Sequence, residues 1–221
     1  MIVIDDARAL PAWTQSREEE IANSLSHAVG FVAALIGAPI LLTAAFRNGS
    51  AGFLLGTIVF TVTMSILYLG STLYHAWPQT RAKYFLQLFD HAAIYFLIAG
   101  TYTPFALGPL RRHGGLLMLG LIWFAAMFGV LLKVIRGPSR HRKLAMSLYL
   151  GMGWMIPLTN HPLMLAIPFS ALMWLLAGGI AYTAGVLFFV NQRLRYSHFI
   201  WHLFVLAGTA CHFAAVLSCV A

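Results

Sequence analysis

The sequence predicts an all-α polytopic membrane protein, a bundle of seven transmembrane helices with its N-terminus in the cytoplasm and its C-terminus outside. Three observations carry that prediction. Hydrophobic residues fill 60% of the 221 positions and charged residues only 9%, where a soluble domain has about 25% charged. Mean hydropathy is +0.80, and several apolar runs reach the ~20 residues that cross a bilayer core. The basic residues lie mostly between those runs and not within them.

Seven apolar segments follow in order, at 21–46, 53–77, 84–107, 116–132, 144–159, 163–190 and 199–221. Gly, Pro or charge separates them, in "RNGS", "PQTRAK", "GPLRRHGG", "KVIRGPSRHRK", "TNHP" and "NQRLRYSH". Small residues recur inside them, as in "AGGIAYTAG", which suits helices that approach closely in lipid. The fifth is short and marked by Gly and Pro, so the count needs an independent test. With seven crossings, Arg8, Arg17, Arg81, Lys83, Lys133, Arg136, Arg140, Arg142, Lys143, Arg193 and Arg195 share the side of the N-terminus. Arg47, Arg111 and Arg112 fall on the other. Eleven against three places the N-terminus in the cytoplasm by the positive-inside rule; dropping the fifth crossing reduces the split to nine against five.

One transmembrane domain over 21–221, preceded by a cytoplasmic segment over 1–20, is therefore expected. The first twenty residues hold five acids and no apolar core, so no cleavable signal is expected. The net charge of +8 is assigned to topology and anionic headgroups, and nucleic acid is not an expected partner. Cys211 and Cys219 lie in one apolar run and read as small hydrophobes, silent on redox compartment.

Ionisable residues inside a membrane are costly and mark function by default. The predicted topology brings several to one cytoplasmic layer. The second segment ends there with "STLYHAW", the third opens there with "LFDHAAIY", and the seventh opens with "YSHFIWH". His198 and His202, spaced i and i+4, share a helix face and can supply two metal ligands; alone they read equally as two interfacial histidines. His75 and Asp90 at the same depth favour the metal. Three neutral imidazoles with an open fourth position is a pattern of catalytic zinc.

Asp90 is the one acid in the transmembrane body, since Asp5, Asp6, Glu18, Glu19 and Glu20 all precede it. Its other reading is an interfacial carboxylate near a helix N-terminus, solvated or paired with Arg81 or Lys83. Ser71, one turn before His75, is placed to bond a water or a substrate oxygen, or else its own i−4 carbonyl. Glu20, Asn23 and His27 form a polar stripe on the first helix, read either as support behind the ligands or as an ordinary acidic helix start. His212 lies fourteen residues beyond His198, about 21 Å along a helix, and is set apart from the site. His113, His141 and His161 are assigned to loops, and His91 is expected to point away from Asp90.

With "EEIANSLSH", "STLYH", "DHAAIYFLIAGTYTPF" and "SHFIWHLFVLAGTACHF" present in this order, the chain resembles the bacterial hemolysin III family, the prokaryotic branch of the progestin and adipoQ receptor group. The resemblance covers nearly the whole chain. It implies seven helices with a cytoplasmic N-terminus, in the bacterial inner membrane. It also implies zinc on His75, His198 and His202, with Asp90 holding a water and Ser71 nearby, in a superfamily that includes alkaline ceramidases. The extramembrane regions of the eukaryotic receptors are missing, so hormone binding is not implied.

Three functions follow as expectations. The first is a zinc-dependent hydrolase of lipid amide or ester bonds serving membrane lipid homeostasis, with catalytic Asp90 and Ser71 and a membrane lipid as substrate. The second is a non-enzymatic membrane sensor or fluidity factor with structural zinc. The third is a cytolytic pore, for which the apolar outer halves of the segments offer little.

Overall fold

The computed structural model describes residues 15–138, 142–155, 165–191 and 193–220, and among them all regular structure is helical. Among the described residues seven helices are assigned ranges, in order: α1 (Arg17–Asn48), α2 (Ala51–Ala76), α3 (Arg81–Leu107), α4 (Gly115–Arg136), α5 (Arg142–Gly153), α6 (Phe169–Val190) and α7 (Ser197–Leu217). Five of these, α1, α2, α4, α6 and α7, are long and apolar enough to cross a membrane. The chain is a polytopic helical membrane protein.

Local chemistry sets the helix ends. Ser16 and Glu19 form a capping box that satisfies free N–H groups of α1, and Arg47 lies in the last turn, on the negative end of the helix dipole. The Ser50 side chain caps α2. That helix stops at Trp77, just before Pro78, a residue that cannot continue it. Gly114 and Gly137 bracket α4 with φ of 87° and 83°, a region that L side chains avoid. Tyr196, immediately before α7, is also left-handed at φ 57°, although it carries a bulky side chain.

Each helix packs against its neighbours in sequence, and α1 meets α7 to close the ring. α3 also touches α5 and α7, which makes it the inner helix. Its position explains its composition. Leu25, Val32, Ile36 and Phe46 of α1 and Leu117, Phe124 and Ile135 of α4 are exposed, as a lipid-facing belt requires. By contrast Asp90, Tyr95, Thr101, Tyr102 and Thr103 of α3 are buried against protein, where polar groups find partners. Tyr102 donates to the carbonyls of Met152 and Gly153, tying down the end of α5.

The expected fifth segment is shorter than read. α5 spans Arg142–Gly153, about 18 Å long, and not 144–159. The remainder of that run and the expected start of the sixth, together 156–164, lie outside the described residues, as do His141 and His161. α6 begins only after Pro168.

Close backbone approach holds α2 to α3. A Cβ on Gly56 would lie 2.5 Å from the Pro104 Cα and 2.8 Å from the Thr103 carbonyl carbon, both backbone atoms that have no rotamer to yield. Replacing Gly56 by Ala is therefore expected to destabilise the fold by about 1–3 kcal/mol. Gly120→Ala, whose new methyl meets nothing within 4 Å, leaves stability unchanged; thermal melts of the two purified variants in detergent check the contrast.

Candidate metal centre

The end of α2 and the starts of α1, α3 and α7 meet at one end of the bundle, joined by side chains. On α2, His75 lies in the last turn and is 4% exposed. On α7, His198 and His202 lie in the first two turns, one pitch apart on one face. Ring centroids are 4.6 Å apart for His198 and His202, and 5.1 Å from His75 to either. One ligating nitrogen from each lies within 4.8 Å of the others. A tetrahedral ion bound at ~2.1 Å sets its ligands about 3.4 Å apart, a contraction that small side-chain rotations supply.

The first helix decides which nitrogen faces inward. Glu20 lies 2.7 Å from Nδ1 of His75; a carboxylate only accepts, so Nδ1 donates and the lone pair resides on Nε2. That Nε2 is buried with no protein partner, as expected of a ligand atom that faces an ion. His202 is held likewise. Its Nδ1 lies 3.2 Å from the Asn23 carbonyl and 3.0 Å from the Ser26 hydroxyl, so this ring too turns Nε2 toward the group. Ser26 in turn donates to the Asn23 carbonyl. The donor set fits a metal ion that takes neutral imidazole.

The stripe on α1 lies directly behind the three histidines, though the groups that reach them are not those its composition suggested. Glu20 does so through its carboxylate. Asn23 contributes its backbone carbonyl, while its side-chain amide bonds Gln15. His27 bonds neither ligand; it stacks on His202 at 3.6 Å with planes 7° apart. Ser26 and Lys83 were missed, and the spacing alone carried a usable signal only for Ser26, three residues after Asn23 on the same face.

Lys83 settles the alternative reading of Asp90. Its ammonium lies 2.8 Å from Glu20 and 3.1 Å from the Trp77 carbonyl, packed over the Tyr74 ring at 5.1 Å. It does not pair with Asp90. Among the described residues both ion pairs involve Glu20 and none involves Asp90. Asp90 is buried on the wall of a cavity of about 90 Å³, beside Ser71, His27, His198 and His202, and is not part of the three-histidine group.

Ser71 also departs from its ordinary reading. Thr57, Thr61, Thr63, Ser65 and Thr72 of the same helix each donate to the carbonyl four residues back. The Ser71 hydroxyl is buried and makes no such bond.

Two further histidines line the same cavity. His212, set apart on distance along α7, does stay outside the ligand group, yet it lines the far end of the same cavity. The ring turns into the bundle and packs at the Tyr182 ring, 5.4 Å between centroids. His91 also contributes to the cavity wall, while its Nδ1 lies 3.1 Å from the Pro138 carbonyl, just beyond α4. Between the two ends the wall is apolar, built from Leu97, Ile98, Val186 and Val205.

A family model described as "Haemolysin-III related" matches residues 15–213. The chain belongs to the haemolysin-III family. Among relatives, it is 40% identical over 204 residues to Hemolysin-3 of Bacillus cereus, covering 92% of this chain and 93% of that protein. It is 38% identical over 200 residues to a Hemolysin-3 homolog of Bacillus subtilis (strain 168), covering 90% and 93%. A more distant similarity, 27% over 211 residues, links it to the human Monocyte to macrophage differentiation factor, across 90% of this chain and 83% of that one. The matched region begins at Gln15, the residue that bonds Asn23, and includes each histidine of the centre.

The carboxylate behind His75 makes a measurable contribution to this centre. Glu20→Gln keeps the shape but removes the charge that orients the ring and balances Lys83, and it should weaken metal affinity roughly ten- to hundredfold. Competition with a chelator of known affinity measures the change.

Proposed function

We propose that this member of the haemolysin-III family is a zinc-dependent hydrolase of lipid amide or ester bonds, working near the cytoplasmic leaflet in membrane lipid homeostasis. One observation carries the reading: His198 and His202, two of the three converging imidazoles, line a mainly apolar cavity together with Asp90 and the buried Ser71 hydroxyl, and Asp90 is outside the ligand group. Three nitrogen ligands and a carboxylate set back from them leave a position open for chemistry, whereas a closed site would have taken the carboxylate as its fourth ligand.

The residues then divide the work. His75, His198 and His202 would hold the ion, which would supply Lewis-acid chemistry at a carbonyl and at water. Asp90 orients the attacking water and takes its proton. Ser71 donates to the carbonyl oxygen as charge develops there. The apolar wall between Leu97 and Val205 excludes bulk water and receives hydrocarbon. A lipid's scissile bond lies at headgroup depth, and the charge asymmetry of the loops assigns this end of the bundle to the cytoplasmic side.

A second reading, a sensor with structural zinc, draws on a different observation. The histidines and the groups behind them come from α1, α2, α3 and α7, so a bound ion fastens four helices at one end.

Metal analysis and turnover separate the two. Zinc should be lost from His202→Ala and largely kept in Asp90→Ala, while Asp90→Ala abolishes hydrolysis of ceramide or lysophospholipid that the wild type cleaves in nanodiscs. Full zinc occupancy in His202→Ala would overturn the site assignment. Zinc-loaded wild type inert toward a broad panel of lipid amides and esters would leave the sensor as the better account.

A further inference from the structure

His27 makes no hydrogen bond to the three histidines, although its ring stacks on His202, and its surroundings are unusual. It is 3% exposed, and both ring nitrogens are buried with no hydrogen-bond partner. Neutral imidazole always carries one N–H donor and one lone-pair acceptor. Buried polar groups of both kinds are nearly always satisfied. One orphan is unusual; two on one ring, on the wall of a cavity shared with Asp90 and Ser71, point to a partner that the chain itself does not supply.

That partner is not the ion of the three histidines. The His27 and His202 rings are stacked with centroids 3.6 Å apart and planes within 7°. Ring lone pairs lie in the ring plane, so lone pairs on two parallel, stacked rings run side by side and do not converge on one point. His202 already belongs to the convergent group; His27 therefore cannot join it. The aromatic packing fixes the ring in place: His202 covers one face, and Tyr68 meets it edge-on with centroids 5.2 Å apart. A ring clamped in this way, with both polar atoms unspent, is preorganised for a ligand.

We propose that His27 is a substrate-positioning residue, whose ring hydrogen-bonds the polar group of the lipid held in the cavity. The proposal rests on the reading of that cavity as a ligand site, and it adds a fourth polar contact to Asp90, Ser71 and the metal. The ring offers a donor and an acceptor on opposite sides, so it suits an oxygen- or nitrogen-bearing group next to the hydrocarbon, such as a carbonyl or hydroxyl. An all-hydrocarbon ligand would leave both ring atoms unsatisfied.

Dodecanohydroxamic acid provides a probe, with a hydrocarbon tail, a carbonyl and an N-hydroxyl in one molecule. Binding is measured on the full chain in nanodiscs by the change in intrinsic tryptophan fluorescence, with Trp154 and Trp201 on the cavity wall as reporters. His27→Phe keeps the aromatic stack and removes both polar atoms; it should retain zinc at the wild-type level and bind the probe about tenfold more weakly. His27→Gln restores a donor and an acceptor, and it should bind within about threefold of wild type, as a retained hydrogen bond requires. The pair also covers misfolding: if His27→Phe fails to fold, His27→Gln against His27→Leu makes the same comparison.

Loss of zinc in a folded His27→Phe would make His27 a support for the metal and overturn the proposal. Wild-type probe affinity in His27→Phe, or no probe binding to zinc-loaded wild type, would overturn it as well. Failure of the hydrolase reading is distinct, because it consists of absent lipid turnover while the probe still binds and still discriminates the variants.

Discussion

The hydrogen bond between Glu20 and His75 is the constraint on which the rest of the centre depends. It fixes the tautomer of one ligand, and it joins the first helix to the second. Through Lys83 the same carboxylate reaches the start of the third helix and the carbonyl that ends the second. A carboxylate, an ammonium and an imidazole so placed at a bundle end satisfy one another, which is the condition for keeping charge out of water at tolerable cost. The Asn23 carbonyl does for His202 what the carboxylate does for His75. Without these contacts three histidines near one another would be three histidines in arbitrary orientations.

Much of this was legible in the sequence, for identifiable reasons. Hydrophobic runs and loop charges report directly on lipid, so the helical membrane class and most helix positions followed from them. Helix periodicity placed His198 and His202 on one face, and counting alternate crossings brought His75 and Asp90 to the same end. The short fifth helix was overextended because an apolar run does not say where its backbone stops being helical. α3 shows the reverse difficulty: its polar positions lower its hydropathy because it is an inner helix, and no local pattern separates an inner helix from a less apolar outer one.

The site was less legible than the fold because its supporting contacts are between helices and often involve backbone. Asn23 attracts attention for its amide, yet the group that matters is its carbonyl. Lys83 looked like a counter-ion for Asp90, about two turns away on the same helix, and instead crosses to the first helix. His212 was dismissed on axial distance, which measures separation from the ligands correctly but says nothing about how far a cavity extends between helices. Ser71 could not be told from its neighbours on the helix until the bonding of all of them was visible.

Tyr196 adds a mechanical consequence. Its left-handed backbone is uncommon for a bulky residue, and its N–H is held at 2.8 Å by Glu19, the same side chain that closes the capping box on Ser16. The helix that carries His198 and His202 therefore takes its starting angle from the opening turn of the first helix. Adjacent residues on that turn reach the metal ligands by separate routes, Glu19 through the backbone of α7 and Glu20 through the ring of His75. Unwinding a single turn at the N-terminal end would release both at once, so the most peripheral coil of the bundle has the greatest leverage over its centre.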